Sequence, residues 1–267
     1  MATLLITGGA GRIATSLRPR LRADGHDLVL LDERDLGQTV ERGERFVRAS
    51  VSDRPALEGA LAGVDAVVHL AGIPTEDTWD AIVAANMTGT KHLLEATAAA
   101  GVRHVLQASS IHAVGLVPEH DDEPASVLGD RLPRPDTYYG VSKGVMELLG
   151  SLFADRFGMT IVSARIGAFG VTPDSRRAQR MWSSPDDLAR LVRATISIGT
   201  PGHHVVWAVS RNTGSVANLD AGARIGYHPE DDAASVVGPD GFAAMPPEDM
   251  RFLGGGMADL PLGAPRE

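Results

Sequence analysis

The chain has 267 residues, 43% of them hydrophobic and 22% charged, which is a normal composition for a globular protein with a full core. Its formal net charge of −9 argues against binding to a nucleic-acid backbone, because that activity requires a basic surface. Cysteine is absent, which excludes disulfides, thiolate metal sites and a cysteine nucleophile.

Strands and helices alternate along most of the chain. Short apolar runs are typical of buried parallel strands, and longer segments with apolar residues every three or four positions are typical of helices. The stretch 236–267 is rich in Gly and Pro, and we expect it to be irregular. In chain order the predicted elements are strand 4–7, helix 13–23, strand 27–32, helix 55–61 with Ser52 or Asp53 as its cap, strand 65–70, helix 79–100, strand 102–109, helix 139–157, strand 160–166, helix 186–198 and strand 204–209.

This alternation predicts an α/β fold with a doubly wound parallel sheet of the Rossmann type. The helices lie on both faces of the sheet in a three-layer α/β/α arrangement. In such folds the ligand binds beyond the carboxyl ends of the strands. The residues that directly follow each strand are therefore the first candidates for a functional site.

A glycine-rich turn follows the first predicted strand and opens the first predicted helix. Gly8, Gly11 and the small Ala14 stand three positions apart. In dinucleotide-binding folds the first glycine allows a tight turn, the second lets the backbone approach a pyrophosphate, and the third small residue lets helix and strand pack closely. A purely structural turn is the alternative, but the position between strand and helix favours a dinucleotide bound at Gly8, Gly11, Arg12 and Ile13.

Asp32 indicates which dinucleotide is bound. It ends the second predicted strand, 21 positions after Gly11, where an acid accepts hydrogen bonds from the adenosine ribose. A carboxylate there repels the 2′-phosphate of NADP, so we expect NAD, although Arg34 weakens this preference. A solvated aspartate at a strand end is the alternative. We assign residues 1–170 to an NAD-binding domain and residues 171–267 to a substrate-side extension packed on it.

A tyrosine and a lysine open the predicted helix 139–157. Tyr139 and Lys143 are four positions apart and share one helical face. A lysine ammonium beside a phenol favours the phenolate, so we expect a tyrosine pKa below its usual ~10 and proton exchange with a substrate hydroxyl. Such pairs are also common on surfaces, but Ser110 ends the fourth strand at the same edge of the sheet, where its hydroxyl can hold the reacting oxygen.

Together these motifs resemble the extended short-chain dehydrogenase/reductase family. Their order along the chain is Gly8-x-x-Gly11-x-x-Ala14, His69-Leu-Ala-Gly72, Asn86, Ser110 and Tyr139-x-x-x-Lys143. Within that family the chain looks most like the uronate dehydrogenases. This second resemblance rests on Ser109-Ser-Ile-His112, Tyr139-Gly-Val-Ser-Lys143, Arg165-Ile-Gly167, Met181-Trp182 with Asp186-Asp187, and Gly226-Tyr-His-Pro229.

The family resemblance implies a role for each residue of the set. Tyr139 would be the general base, Lys143 would assist it and bind the nicotinamide ribose, and Ser110 would orient the substrate hydroxyl. Asn86 would hold the region through backbone or water contacts. The rest of the NAD site is expected at Ser50, Val51, Leu70, Ala71 and Gly72.

The resemblance to uronate dehydrogenases also implies a substrate class. Those enzymes oxidise the anomeric carbon of a cyclic hexuronate, pass a hydride to NAD and release an aldarolactone, so we expect a small anionic sugar acid. They bind its carboxylate with an arginine that aligns with Arg177, and His112 matches a histidine that contacts the substrate. Arg176 and Arg180 are rival carboxylate ligands on the same basic loop.

Three positions depart from the uronate dehydrogenases. Polar residues that bind sugar hydroxyls there are replaced by Pro74, Ile111 and Ala168. Each replacement removes a hydrogen-bonding side chain, and an unpaired hydroxyl costs ~1–3 kcal/mol. The identity of the sugar acid therefore stays open, and a less hydroxylated anionic alcohol remains an alternative.

Two other function classes share parts of this pattern. A nucleotide-sugar epimerase or dehydratase has the same loop and Tyr–Lys pair, but usually carries a larger C-terminal region. A non-catalytic NAD-sensing protein has the loop, but tends to lack Tyr139 and Lys143. Both alternatives are less favoured than a dehydrogenase.

The sequence also limits the expected partners and location. It shows no signal peptide and no apolar run of ~18 residues, so we expect a cytoplasmic protein with no membrane partner. We expect neither a metal site nor a nucleic-acid partner. Helix pairing between subunits is common in the family, which leaves a homo-oligomer open.

Overall fold

A seven-stranded parallel sheet forms the centre of the fold in the computed structural model, which describes residues 1–118, 132–248 and 251–265. A separate pair of two-residue strands lies beside it. The strands of the large sheet are β1 (Thr3–Thr7), β2 (Asp27–Asp32), β3 (Glu44–Arg48), β4 (Ala66–His69), β5 (His104–Ser110), β6 (Thr160–Ile166) and β9 (Gly202–Ala208), and the small pair is β7 (Ala168–Phe169) with β8 (Trp182–Ser183).

The order of the strands creates a switch point in the sheet. The order is β3-β2-β1-β4-β5-β6-β9, so the chain runs outward in one direction from β1 to β3 and in the other direction from β4 to β9. All the neighbouring pairs are parallel. Such sheets open a crevice at the carboxyl ends of the strands where the order reverses, which is here between β1 and β4. The predicted Rossmann-type fold is confirmed.

Helices cover both faces of the sheet and complete the three layers. On one face, Leu17 and Leu191 belong to a buried cluster with the strands, and on the other face Leu57, Leu93 and Phe153 do the same. Full burial of each such side chain contributes about 1.5–3 kcal/mol. The helices are α1 (Arg12–Ala23), α2 (Arg54–Leu61), α3 (Trp79–Ile82), α4 (Gly89–Ala99), α5 (Tyr138–Phe157), α6 (Arg176–Met181), α7 (Pro185–Ser197), α8 (Asp220–Arg224), α9 (Ala233–Val237) and α10 (Pro239–Ala244).

Local signals explain where the important helices begin and end. Asp53, and not Ser52, caps α2 by accepting a hydrogen bond from the Ala56 amide. Thr137 caps α5 in the same way, and the left-handed Gly158 ends it. The start of α5 is therefore fixed by a side chain two positions before the predicted catalytic Tyr139.

Two differences from the sequence prediction lie before residue 100. Strand β3 was not predicted, because it lies at the sheet edge and three of its five residues are charged. Its Glu44 forms an ion pair with the buried Arg18 of α1, at 2.6 Å. The predicted helix 79–100 is interrupted, since Val83–Thr88 forms a π-helical turn between α3 and α4. Short π-helical segments are frequent at functional sites.

The expectation of an irregular C-terminal stretch is wrong in part. It contains the end of α9, then α10 and a 3₁₀ turn at Gly255–Asp259. Phe252 forms an isolated antiparallel bridge with Pro118, and Gly254 donates to the Gly115 carbonyl at 2.8 Å. The sequence pattern missed this order because it depends on contacts with a distant segment and not on local periodicity.

The chain after residue 170 contributes to the core of the fold. Strand β9 extends the sheet beyond β6, and α7 packs against α1. The division at residue 170 stays a prediction. Among the described residues, no helix has both the length and the apolar character required to cross a membrane.

Candidate active site

A cavity of about 1010 Å³ lies at the carboxyl ends of β1, β2 and β4. It is located at the switch point of the sheet, and its size is at the upper end of the range for ligand sites. Most of the residues predicted to bind the cofactor line this one cavity, namely Gly8, Gly11, Arg12, Ile13, Asp32, Ser50, Val51, Leu70, Ala71 and Gly72.

The glycine turn after β1 has the geometry that a pyrophosphate site requires. Gly8 has a φ of +71°, and a Cβ at this position would lie 2.8 Å from the Ala71 nitrogen, so only glycine fits. The Gly11 amide donates to the Gly8 carbonyl at 2.9 Å and closes the turn. Helix α1 then begins without a side-chain cap, which leaves its first N–H groups available to an anion. The residues present therefore fit the diphosphate of a dinucleotide.

Asp32 has a second role that the sequence did not reveal. Its carboxylate is buried and accepts hydrogen bonds from the amides of Ala10, at 3.0 Å, and Arg34, at 2.9 Å. Asp32, at the end of β2, therefore stabilises the glycine turn through these hydrogen bonds, and it also lines the cavity. A substitution at Asp32 will disturb the turn in addition to any contact with a ribose.

Asn86 connects the cavity wall to helix α5 and does not itself line the cavity. Its carbonyl oxygen accepts from the Ile73 amide at 2.7 Å, and its amide group donates to the Ile73 carbonyl and the Ser142 hydroxyl, both at 3.0 Å. Gly72 lies so close to it that a Cβ would be 2.7 Å from the Asn86 oxygen. These backbone contacts match the positioning role that the resemblance implies.

Ser110, Tyr139 and Lys143 meet between the end of β5 and the start of α5. The Lys143 ammonium lies 5.3 Å from the centre of the Tyr139 ring and donates to the Ala108 carbonyl at 2.7 Å. The Ser110 hydroxyl accepts from the His112 amide at 3.2 Å. The structure thus brings together the three groups predicted to carry the chemistry.

The protonation of the Tyr–Lys pair differs from the sequence-based expectation. Burial raises the pKa of Tyr139 to about 12, the Ser110 hydroxyl lowers it in part, and the negative charge of Asp136 raises it further. Burial also lowers the pKa of Lys143 to about 8. The expected depression of the tyrosine pKa is wrong for this state, because removal from water outweighs the attraction of the ammonium. At neutral pH the phenol keeps its proton.

His112 is held beside the phenol by an acid that the sequence analysis did not single out. Its Nδ1 lies 2.7 Å from Oδ2 of Asp136, whose side chain is fully buried. The rings of His112 and Tyr139 meet edge to face, with their centres 5.8 Å apart. An aspartate just before a helix is usually a cap, which explains why Asp136 was overlooked.

The three candidate arginines are in different situations. Arg176 donates to the carbonyls of Met245, at 3.0 Å, and Ala243, at 3.1 Å, and Arg180 donates to the Gly214 carbonyl at 3.1 Å. The Arg177 guanidinium makes no hydrogen bond or ion pair with the described residues. It packs over Gly255, where a Cβ would overlap it. The segment expected to be a loop is thus helix α6, and Arg177 is its arginine whose guanidinium has no hydrogen-bond partner among the described residues.

Comparison with known proteins agrees with this geometry. The NAD dependent epimerase/dehydratase family matches residues 4–183. The chain belongs to this family. It is 33% identical over 255 residues to a uronate dehydrogenase of Pseudomonas syringae pv. tomato, covering 94% of this chain and 91% of that protein. The family resemblance drawn from the motifs is confirmed.

Two further relatives extend the comparison. The crystal structure of uronate dehydrogenase from Agrobacterium tumefaciens superposes with a TM-score of 0.88 at 33% identity and covers 98% of both chains. An L-arabinose 1-dehydrogenase (NAD(P)(+)) of Haloferax volcanii is 34% identical over 260 residues, covering 89% of this chain and 100% of that protein. Relatives of this epimerase/dehydratase family member thus include enzymes named for acidic and for neutral sugars.

Glu76 is a second residue of this family member that the sequence analysis missed. Its side chain is fully buried and accepts hydrogen bonds from the amides of Tyr139, at 2.9 Å, and Gly263, at 2.8 Å. It connects the loop after β4, the start of α5 and the C-terminal segment. Only its position after a strand could have suggested a role, and that signal is weak.

Two of the departures from the uronate dehydrogenases lie in different surroundings. Pro74 lines the large cavity. Ile111 is 3% exposed and packs in an apolar cluster with Trp207 and Leu253. A polar residue at position 111 would therefore be buried among apolar side chains, so this replacement is explained by packing as well as by substrate contacts.

Proposed function

We propose that the chain is an NAD-dependent dehydrogenase that oxidises the anomeric hydroxyl of a hexuronate, or of a closely related sugar acid, to a lactone. The observation that carries this proposal is the meeting of Ser110, Tyr139 and Lys143, with His112 beside the phenol. They lie at the same carboxyl edge of the sheet as the dinucleotide-sized cavity. The near full-length similarity to enzymes named uronate dehydrogenase supports the substrate class.

The residues of the chain divide the chemistry between them. When NAD is bound, its nicotinamide supplies the acceptor for the hydride of the anomeric carbon. Tyr139 takes the proton of the anomeric hydroxyl, and Ser110 holds the same oxygen. Because burial raises the pKa of Tyr139 to about 12, the phenol must first lose its own proton to water, and only the resulting phenolate can accept the proton of the hydroxyl. The Lys143 ammonium, 5.3 Å from the ring centre, stabilises that phenolate.

Arg177 and His112 distinguish an acidic from a neutral substrate. A guanidinium binds a carboxylate through two parallel hydrogen bonds, which fixes orientation as well as charge. No described residue forms a hydrogen bond or ion pair with the Arg177 guanidinium, and Gly255 leaves room for it. We assign the substrate carboxylate to Arg177 and a neighbouring hydroxyl to His112.

An assay of NADH release tests this proposal directly. The panel contains glucuronate, galacturonate, glucose, arabinose and a UDP-sugar, each with NAD and with NADP. We expect stoichiometric NADH with a uronate and little with the neutral sugars. An epimerase would consume the UDP-sugar without net NADH, and a sensor would bind NAD without turnover.

A dehydrogenase of neutral aldoses is the second candidate function. The relative named L-arabinose 1-dehydrogenase favours it, because the similarity covers that whole protein. Preferred turnover of a neutral aldose, with no effect of Arg177→Ala, would select this candidate. The cytoplasmic location and the homo-oligomer stay predictions, which fractionation and light scattering would test.

A further inference from the structure

The carboxylate of Asp136 occupies a space that three glycines from separate segments leave open. A Cβ on Gly115 or on Gly254 would overlap its Oδ2, and a Cβ on Gly140 would lie 2.9 Å from its Oδ1. The side chain is fully buried. Because a side chain on any of the three glycines would displace the Asp136 carboxylate, the structure holds this carboxylate in one position.

The partners of the Asp136 carboxylate show where it acts. Its Oδ1 accepts from the Thr137 hydroxyl at 2.9 Å, and its Oδ2 lies 2.7 Å from Nδ1 of His112. No Lys or Arg side chain of the described residues forms an ion pair with it. Since a buried carboxylate requires hydrogen-bond donors, the His112 ring and the Thr137 hydroxyl are the side-chain groups that satisfy it among the described residues.

We propose that Asp136 is a positioning residue that acts through His112. An ionised carboxylate only accepts hydrogen bonds, so it fixes a proton on Nδ1 of His112 and leaves Nε2 to meet the substrate. Nε2 of His112 makes no hydrogen bond with the described residues, and the ring stands against Tyr139. The part of this proposal that concerns substrate rests on the proposed function.

The glycine triplet near the C-terminus connects this pair to Arg177. Gly254 leaves space for Asp136, and the adjacent Gly255 leaves space for the Arg177 guanidinium. Gly254 is fixed by its hydrogen bond to the Gly115 carbonyl. This short segment therefore sets the position of Arg177 directly and that of His112 through Asp136, and these are the two groups proposed to bind the sugar acid.

A double-mutant cycle tests whether Asp136 acts through His112. We expect Asp136→Ala and His112→Ala each to lower kcat/KM for the acid substrate by about tenfold to hundredfold, since outer partners of a functional histidine have effects of this size. The double variant should lie within about twofold of His112→Ala, because the two residues form one unit. The dissociation constant of NAD should stay within about twofold of the parent value. Independent effects that multiply in the double variant would overturn the proposal.

Two neighbouring glycines supply a second test with a matched control. Gly254→Ala keeps Asp136 but displaces its carboxylate, so we expect the same direction of change in kcat/KM as for Asp136→Ala. Gly256→Ala places a methyl group where nothing lies within 4 Å, so its kinetics should match the parent. Equal effects of the two alanines would contradict the proposal.

Nitrogen NMR of His112 separates this inference from the proposed function. In the parent protein without substrate we expect one tautomer, protonated at Nδ1, and in Asp136→Ala a mixture. An unchanged tautomer in Asp136→Ala overturns the positioning role even if uronates are substrates. If no uronate releases NADH but the tautomer changes as expected, the proposed substrate fails and the positioning of His112 stands.

Discussion

The cofactor side and the substrate side of this site are built in different ways. On the cofactor side the close contacts are between backbone atoms, as where Gly8 meets the backbone of Leu70 and Ala71. On the substrate side the groups are side chains, and both His112 and Arg177 are placed by residues far away in the chain. Substitution of most side chains on the cofactor side should therefore leave NAD binding unchanged. On the substrate side, a single substitution can change which substrate is preferred.

The largest loss of activity is expected from a substitution of Tyr139, where the cofactor side and the substrate side meet. Tyr139→Phe keeps the ring but removes the proton acceptor, so kcat should fall by about 10²–10⁴-fold. The NAD dissociation constant should change little, as measured by fluorescence titration. Tyr138→Phe is the control, because Tyr138 packs on Trp79 instead of the catalytic groups. A near-normal rate for Tyr139→Phe would move the chemistry to another residue.

A substitution that disturbs the backbone of the glycine turn tests NAD binding on the cofactor side. Gly8→Ala introduces a Cβ 2.8 Å from the Ala71 nitrogen at a φ of +71°, so NAD affinity should fall by at least about tenfold. Gly63→Ala is the matched control, since Gly63 has a φ of +73° but no neighbour within 4 Å. Both variants should lose about 1–2 kcal/mol of unfolding free energy, and only the first should lose NAD binding. Equal NAD affinities would refute the role of the turn.

Removal of the Arg177 guanidinium tests binding of the acid on the substrate side. Arg177→Ala should raise KM for the acid substrate by tenfold or more, because a charge-assisted hydrogen bond contributes roughly 1.5–3 kcal/mol. Arg177→Lys should recover only part of this loss, since an ammonium cannot reproduce the two parallel bonds. Arg176→Ala serves as the control, because Arg176 is occupied by backbone carbonyls. Unchanged KM in Arg177→Ala would exclude the assigned carboxylate site.

The pH dependence of turnover tests the Tyr–Lys pair. Because the pKa of Tyr139 is raised to about 12, the rate of oxidation should rise with pH as the phenol loses its proton more easily. Burial lowers the pKa of Lys143 to about 8, so its charge is present below that pH and lost above it. The rise should therefore end near pH 8. In Lys143→Arg, which stays charged, it should continue to higher pH, and identical profiles would contradict this assignment.

The smallest effect concerns the choice between NAD and NADP. Asp32 lines the cavity and should favour NAD in kcat/KM, and Asp32→Ala should narrow the difference by a few fold. Because Asp32 also binds the Ala10 amide, the variant should lose some affinity for both cofactors. Equal turnover with both cofactors in the parent protein would refute the preference.

The difference between the two regions also explains what the sequence could predict. Gly8, Gly11 and Asp32 were identifiable from local patterns, because Gly8 directly follows β1, Gly11 directly precedes α1 and Asp32 ends β2. Asp136 and Gly254 were not, because Asp136 acts on His112, 24 positions away, and Gly254 leaves space for Asp136 from a segment more than a hundred residues away.

Burial set a second limit on the sequence-based predictions. The spacing of Tyr139 and Lys143 predicted their common face, but not how completely both groups are removed from water, and this reversed the expected direction of the tyrosine pKa. In the same way, the resemblance selected Arg177 over Arg176 and Arg180, but the sequence pattern could not show that backbone carbonyls bind the side chains of those two rivals.

The carboxylate of Glu76 has a consequence for anyone who attaches a label or a fusion partner to this enzyme. Its two oxygens accept hydrogen bonds from the amides of Tyr139 and Gly263, so a mechanical pull on the C-terminal segment is transmitted to the first turn of α5 through this side chain. A tag joined after Gly263 therefore requires a flexible spacer, and a fluorophore placed there is expected to respond to movements of Tyr139.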